Sequence, residues 1–413
     1  MRFSHGQTAR WLAGCLGLLW CLKGIAALKP IDDTEMSDVV AQAYIAIDKH
    51  FNPNPGDTTS YTRVDFGMDI ETQLNADVME LGRYTRTDDP NAPADSADIL
   101  INNFGLGFIY DEAYFRNNPS MPRPLKSDGS EYRTGELVPF KITDPFIEFA
   151  MDEGTNELTG FRIGFGQSQG YLSGDVQYLT GNVNVDIRDN GSGMKVASSS
   201  SNNILDQIVV ALAPLLTANS PLYTNAQLVD AQGNRDNIRA QYIGVPNGDT
   251  FYLYDVDAVT RYILFQAAQQ LGVLSSDMNV HGCSGTVVFA WCGWAWEKDT
   301  VEINPNDCKM LGVNVCFDLG MYRSLPIGKV ETRNGKRYLT GPSSGMFLSF
   351  QTKDLQWLND VRKENPNDAD FIKATSGAFF NIPNSVIEVN LDQAMRGTPR
   401  ARTEYIDRGR GLF

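Results

Sequence analysis

From Tyr61 to about Asp189 the chain alternates between apolar and polar residues. Val64, Phe66, Met68 and Ile70 are separated by Asp65, Gly67 and Asp69, and Phe146-Ile147-Glu148-Phe149 and Phe161-Arg162-Ile163-Gly164-Phe165 are short runs bounded by Gly, Asn and Asp. A period of two puts apolar side chains on one face of an extended strand, so this stretch reads as half-buried antiparallel sheet, a sandwich or roll. Two segments echo each other 98 residues apart: Leu74-Asn75-Ala76-Asp77-Val78-Met79-Glu80-Leu81 and Leu172-Ser173-Gly174-Asp175-Val176-Gln177-Tyr178-Leu179. Each follows a Phe-Gly pair, which points to a duplicated β-unit or to two equivalent strands of one sheet system.

The pattern changes after Asp189. Asp189-Asn190-Gly191-Ser192-Gly193 and Ser198-Ser199-Ser200-Ser201-Asn202-Asn203 have linker composition, and residues 204–216 then carry a helical apolar face, Ile204, Leu205, Ile208, Val209 and Leu212. A second helix is expected over Val256–Leu271, a third over Asp354–Lys363, and strands at Val287–Trp296 and Val386–Val389. Arg333-Asn334-Gly335-Lys336 has the signature of a type I′ hairpin turn. The expected fold is α+β and β-rich: an N-terminal antiparallel sandwich or roll, then an α+β domain with disulfide-stapled strands. Its divisions are a leader at 1–27, an N-terminal helix and first strand at 28–60, a β domain at 61–190, a linker at 191–203 and the α+β domain at 204–413.

The first 27 residues read as an export signal: Arg2 and Arg10 without an acid, an apolar run from Trp11 to Leu22, and small residues at Gly24-Ile25-Ala26-Ala27. Leu12-Ala13-Gly14-Cys15 also spells a lipoprotein box, but only Trp11 separates it from Arg10, too short for the apolar core such a box follows. A run of this length is also short of the ~20 residues that span a bilayer, and no later segment supplies a span. Loss of the leader removes three basic residues and takes the formal charge from −15 to −18, which disfavours nucleic acid as a partner.

Six cysteines become four with the leader gone: Cys283, Cys292, Cys308 and Cys316. An even number in an exported chain reads as two disulfides. A nested pairing, Cys283 with Cys316 and Cys292 with Cys308, suits one antiparallel hairpin because the residue numbers of the two pairs have nearly equal sums. Local pairing in two small loops fits as well, and a four-cysteine zinc site is disfavoured by the lack of CxxC spacing. Trp291, Trp294 and Trp296 cluster between the cysteines. Trp294 and Trp296 are expected on one strand face, either shielding a disulfide or offering a stacking surface to a glycan or lipid.

Leu28-Lys29-Pro30-Ile31-Asp32-Asp33, running on to Val39-Val40-Ala41-Gln42, resembles the opening of FilA-like pilus-system proteins and related exported proteins of Gram-negative envelopes, which begin with a Leu-x-Pro-Leu-Asp-Asp element leading to Val-x-Gly-Gln. The likeness covers some 15 residues and departs at Ala41, where the family carries Gly. Ala97–Phe104 and Glu404–Gly409 look like relatives of the same kind. The resemblance implies an envelope or surface location with protein partners there, and no reaction.

Catalytic chemistry finds little footing. Only His50 and His281 follow the leader. Gly166-Gln167-Ser168-Gln169-Gly170 and Gly341-Pro342-Ser343-Ser344-Gly345 match a GxSxG nucleophile elbow, yet Ser168 is followed by strand-like sequence and no His follows Ser343. No catalytic residue, metal ligand or cofactor is therefore assigned. Calcium is the one ion with candidate loops, Asp88–Asp95 and Asn365–Asp370, neither with EF-hand spacing. The tail, with Arg400, Arg402, Arg408 and Arg410, could meet an anionic partner or dock on its own acidic body. The expected role is a non-catalytic structural or interaction protein of the envelope or surface. A lipid- or glycan-binding protein is the alternative, and a carboxylate hydrolase, needing two facing acids in a cleft, the third possibility.

Overall fold

The computed structural model describes residues 45–54, 56–88, 96–189, 222–272, 277–286, 288–310 and 313–403. The strands that position the sites are β1 Ile45–Phe51, β2 Thr59–Phe66, β3 Asp69–Thr72, β4 Leu74–Arg83, β5 Ala97–Leu106, β6 Phe140–Asp152, β7 Glu157–Leu179, β8 Gly181–Asp189, β9 Leu222–Val229, β10 Phe251–Asp257, β11 Ser284–Thr286, β12 Phe289–Trp291, β13 Lys298–Ile303, β14 Ser324–Ile327, β15 Phe347–Gln351 and β16 Gly377–Val389. The helices are α1 Glu112–Asn117, α2 Ala258–Leu271 and α3 Leu391–Arg396. One long ladder runs β1, β2, β6, β7, β15, β16, β8, β9, β10, β13, antiparallel except where β8 and β16 run parallel. The C-terminal half of β7 leaves that ladder and pairs with β14 on one side and β5 on the other, with β4 beyond β5. The main core draws on both ladders: Ile99 and Ile101 of β5, Leu172 and Val176 of β7, Val185 and Ile187 of β8, and Ile382 and Ile387 of β16. The β-rich reading with a disulfide-bearing C-terminal region holds.

The division expected at 191–203 does not separate the described residues. Strand β8 ends at Asp189 and β9 begins at Leu222, and the two pair from Asn184↔Gln227 to Asp189↔Leu222, so the chain before and after lies in one sheet. The described residues of Ile45–Phe413 accordingly form one compact unit. Composition reveals where a chain is soluble and small, not which strands find each other across a gap. The leader, the helix expected after Leu28 and the apolar stretch 204–216 lie outside the described residues. Helix α2 is capped by Asp257, whose side chain accepts from the Thr260 amide, and ends at left-handed Gly272. The helix expected over Asp354–Lys363 is instead a strand, Leu355–Leu358, paired with Phe371–Ala374 and burying Trp357 fully. Core packing outweighs a weak local propensity. Asn334 and Gly335, with φ of 50° and 75°, make the expected hairpin turn between Arg333 and Lys336.

The echoed segments prove to be equivalent strands. Leu74 of β4 and Leu172 of β7 both face Leu106 of β5, and Leu81 and Leu179 both face Ile99. The repeated Leu-x-small-Asp-Val pattern thus flanks one central strand on its two sides, in the same register at both ends.

A row of charges crosses the long sheet: Asp48 on β1 stands beside Arg63 on β2, then Glu148 on β6, then Arg162 on β7. Glu148 and Arg162 have no exposure at all. Arg162 donates Nε to Glu148 at 2.5 Å and Nη1 to the Leu358 carbonyl at 2.7 Å, and its guanidinium lies 4.7–5.0 Å from the rings of Phe146, Phe347 and Trp357. A planar guanidinium can donate from its rim while its faces meet aromatic rings, which is why Arg rather than Lys suits such a site. In the next row His50 stacks on Tyr61 at 5.0 Å, with its Nδ1 3.8 Å from Glu148.

Glu148→Leu leaves Arg162 buried without its anion and is expected to cost about 3–5 kcal/mol, whereas Glu148→Leu with Arg162→Met is expected to recover most of that loss. Urea denaturation of the two variants measures the difference; equal losses would show that the pair does not act as a unit. His50 supplies a pH test. Burial lowers its pKa from 6.5, so the unfolded chain takes up the proton first and stability falls as pH drops below about 6.5. His50→Gln is expected to flatten that limb of the stability profile.

Candidate functional site

Cys283 joins Cys292, with Cα atoms 4.0 Å apart, and Cys308 joins Cys316 at 5.2 Å. Of the two pairings left open, the local one in two small loops is therefore realised and the nested one is not. Cys316 begins a strand that pairs with Tyr242–Gly244, and Cys308 and Cys316 sit in a small cluster with Val229. Cys292 instead belongs to the main core. The four cysteines do not share one hairpin, so equal residue-number sums had no ladder to act on.

The first disulfide staples the β11–β12 hairpin, in which Ser284 faces Trp291 and Thr286 faces Phe289. Helix α2 holds the hairpin from one side: Gln269 donates to the Gly285 carbonyl, and buried Arg261 donates to the carbonyls of His281 and Glu297. Alternation along β12 turns Ala290 toward the core and leaves Phe289 and Trp291 outside. Trp294 and Trp296 do not lie on a strand as expected. They sit in the turn between β12 and β13, where the Trp294 amide donates to Glu297 and the two indoles stack at 5.4 Å with 1° between their planes. Trp291 meets Trp294 edge-on. The rings stand largely in solvent: Trp294 is 57% exposed, Trp296 76% and Phe289 83%, with the Val288 side chain beside them at 75%. Leaving an indole of roughly 200 Å² mostly in water forgoes about 3 kcal/mol of burial that a partner surface could recover.

The basic tail is partly docked on its own chain. Arg400 donates to the Asn103 carbonyl at 2.6 Å and to Thr403 Oγ1, while the Arg402 carbonyl accepts from the Ile109 amide. Arg402 has an exposed side chain; Arg408 and Arg410 lie outside the described residues. Of the calcium loops, 89–95 lies outside the described residues, Asp88 pairs with Arg86, and Asp370 is committed to Lys363 and the Asn367 amide. Among the described residues no three His, Cys, Asp or Glu side chains converge as a metal site. Both GxSxG serines are extended rather than elbowed, and they face each other: the Ser168 and Ser343 backbones form a two-bond bridge, with Ser168 Oγ on Met346 and Ser343 Oγ on the Ser385 carbonyl.

Sequence reading passed over an open cleft of about 700 Å³ lined by Arg188, Asp189, Tyr223, Tyr254, Arg337 and Glu388. Arg188 and Tyr223 are cross-strand neighbours, and the guanidinium lies 5.2 Å over the ring. Arg337 donates to Glu388 Oε1 at 2.9 Å, while Arg188 Nε stands 3.7 Å from Glu388 Oε2. These residues come from strands far apart in sequence, so no local motif announces them. An interior cavity among Ile101, Val176, Val185, Ile243 and Phe380 is apolar but only about 40 Å³, little more than one water's share of volume and far too small for an acyl chain.

Compared with known proteins, the chain matches no family model, no curated protein and no solved structure.

Non-reducing chymotryptic mapping is expected to return Cys283 linked to Cys292 and Cys308 linked to Cys316; a peptide joining Cys283 to Cys316 would restore the nested pairing. Cys308→Ser with Cys316→Ser is expected to cost about 2–3 kcal/mol, the loop-closure value for so short a ring.

Proposed function

We propose that this chain is an exported, non-catalytic component of the cell envelope or surface, working through contacts with other envelope proteins, and that the stapled aromatic finger is its contact surface. The observation that carries this reading is the joint exposure of Phe289 and Trp291 on a hairpin fixed by a disulfide and by α2, and of Trp294 and Trp296 in the turn that follows it. The fold buries its other described tryptophan, Trp357, completely, so the chain does not lack room for aromatics. Rigid aromatic anchors lose little conformational entropy on contact and dominate the energetics of interfaces. The two disulfides suit an oxidising compartment, as the leader-like residues 1–27 and the FilA-like residues 28–42 also imply, with a pilus-like assembly as the setting. A lipid interface is the second reading, favoured by Val288 and Phe289 at the finger's tip, since indoles sit at headgroup level beside buried apolar groups.

The test is a photo-crosslinker at Phe289 in the full chain, with fractionation into periplasm, outer membrane and medium. A discrete crosslinked envelope protein is expected, reduced at least tenfold by Trp294→Ala with Trp296→Ala, while melting stays within about 0.5 kcal/mol of wild type because both side chains are exposed. Recovery of the protein as a free periplasmic monomer without crosslinks would overturn the reading, and binding to zwitterionic vesicles in place of a protein crosslink would favour the lipid interface.

A further inference from the structure

We propose that the open cleft between the Arg188–Tyr223 strand pair and the Lys329–Gly341 hairpin is a binding site for an uncharged oligosaccharide. The inference rests on the cleft's own geometry and not on the aromatic finger. Its volume of about 700 Å³ lies in the range of small-ligand sites, and six separate segments build it. A bulge in β10 between Leu253 and Val256 interrupts pairing with β13 around Tyr254, leaving that ring 40% exposed at the cleft and stacked on Tyr252 at 5.6 Å. Tyr223 forms a second aromatic wall, with Arg188 laid over it.

The chemistry of the lining selects the ligand class. Arg337 has its donors committed to the Ser120 carbonyl, Gln393 and Glu388, which makes it a support for Glu388. Arg188 differs: its side chain is 57% exposed, and among the described residues its ionic partner is Glu388 at 3.7 Å, beyond hydrogen-bond distance. Its N–H fork is thus held in place by Tyr223 and remains available to oxygen acceptors. Glu388 offers carboxylate oxygens beside it, so donor and acceptor stand together as a pair of vicinal hydroxyls requires. Arg188 and Arg337 balance Glu388 and Asp189, leaving no local positive excess for a phosphate or carboxylate ligand in a chain of net charge −15. Polar and apolar groups share the walls, which does not suit a fatty acyl chain. Flat phenol faces for the C–H face of a pyranose, with a planar donor and acceptor for its hydroxyls, fit a neutral sugar.

Isothermal titration of the full chain with cellohexaose, chitohexaose and inorganic phosphate tests this. At least one hexasaccharide is expected to bind with a dissociation constant below 1 mM, weakened at least tenfold by Tyr254→Ala and by Arg188→Ala and unchanged by Trp294→Ala with Trp296→Ala. Both cleft substitutions are on exposed side chains, and melting curves confirm folding. Failure of both hexasaccharides to bind at millimolar concentration, saccharide binding that survives both cleft substitutions, or phosphate binding more tightly than either sugar would each overturn the proposal. Loss of sugar binding on changing the tryptophans alone would move the site to the finger, overturning the cleft while leaving the finger's role as a contact surface intact.

Discussion

Strand β7 runs 23 residues, Glu157–Leu179, several times the usual strand length of about 5–6, and changes partners part-way. Its first half lies between β6 and β15, and its second between β14 and β5. The change is made by residues without side chains. At Gly164 the place of a Cβ is filled by the Phe146 ring, at Gly166 by the Asp144 backbone, and at Gly170, with φ of 145°, by Phe140. A larger residue would force the Phe146 ring, the Asp144 backbone or Phe140 to shift. The row of charges that ends at Arg162 and the echo strand that ends at Leu179 are therefore parts of one continuous backbone, and the two ladders share a core because they share this strand.

Around that strand the molecule distributes its unusual groups in two ways. Charges taken out of water are paired inside the sheets: Glu148 with Arg162, and Asp98 with both Arg86 and Arg239 at 3.0–3.1 Å. Asp98 also accepts from the Ala378 amide, so one buried carboxylate ties β5 to β16 and to the loop that carries Arg239. Such pairs cost desolvation and give geometry in return, since each partner is tolerated only where the other stands. The aromatic finger is the reverse case. Its rings stay in water although the core lies beside them, because a hairpin closed by Cys283 and Cys292 is too short to fold its own outer face inward.

Legibility from sequence followed the range of each interaction. The strands announced by period-two alternation, the Asn334-Gly335 turn, the helix ending at Leu271 and the equivalence of Leu74–Leu81 with Leu172–Leu179 are local or repetitive signals and are realised, but along β2, β6 and β7 it is Arg63, Glu148 and Arg162 that are buried while Phe149 and Ile163 stand in solvent. Leu355–Leu358 misled because a short apolar run has no period of its own, and its partner Phe371–Ala374 decided it as a strand. Of the two cysteine pairings the spacing left open, the local one is realised; the nested one assumed a ladder that the chain does not build. Trp294 and Trp296 could be singled out by composition, but not their stacking in a turn or their exposure. Arg188, Tyr223, Tyr254 and Glu388 carried no signal, being ordinary strand residues until four separated segments meet.

By itself, then, the sequence determined what neighbours along the chain can determine: a β-rich chain, its tight turns, an even set of cysteines and a scarcity of histidine. Only the tertiary structure decided which cysteines pair, which carboxylates are buried against arginine, that the chain on either side of 190–221 belongs to one sheet, and where aromatic rings stand in solvent. The physical reason is that side-chain alternation fixes which face of a strand is apolar but leaves its partner open. Partners are chosen by the fit of whole ladders, and every site described above lies where two or more of them meet.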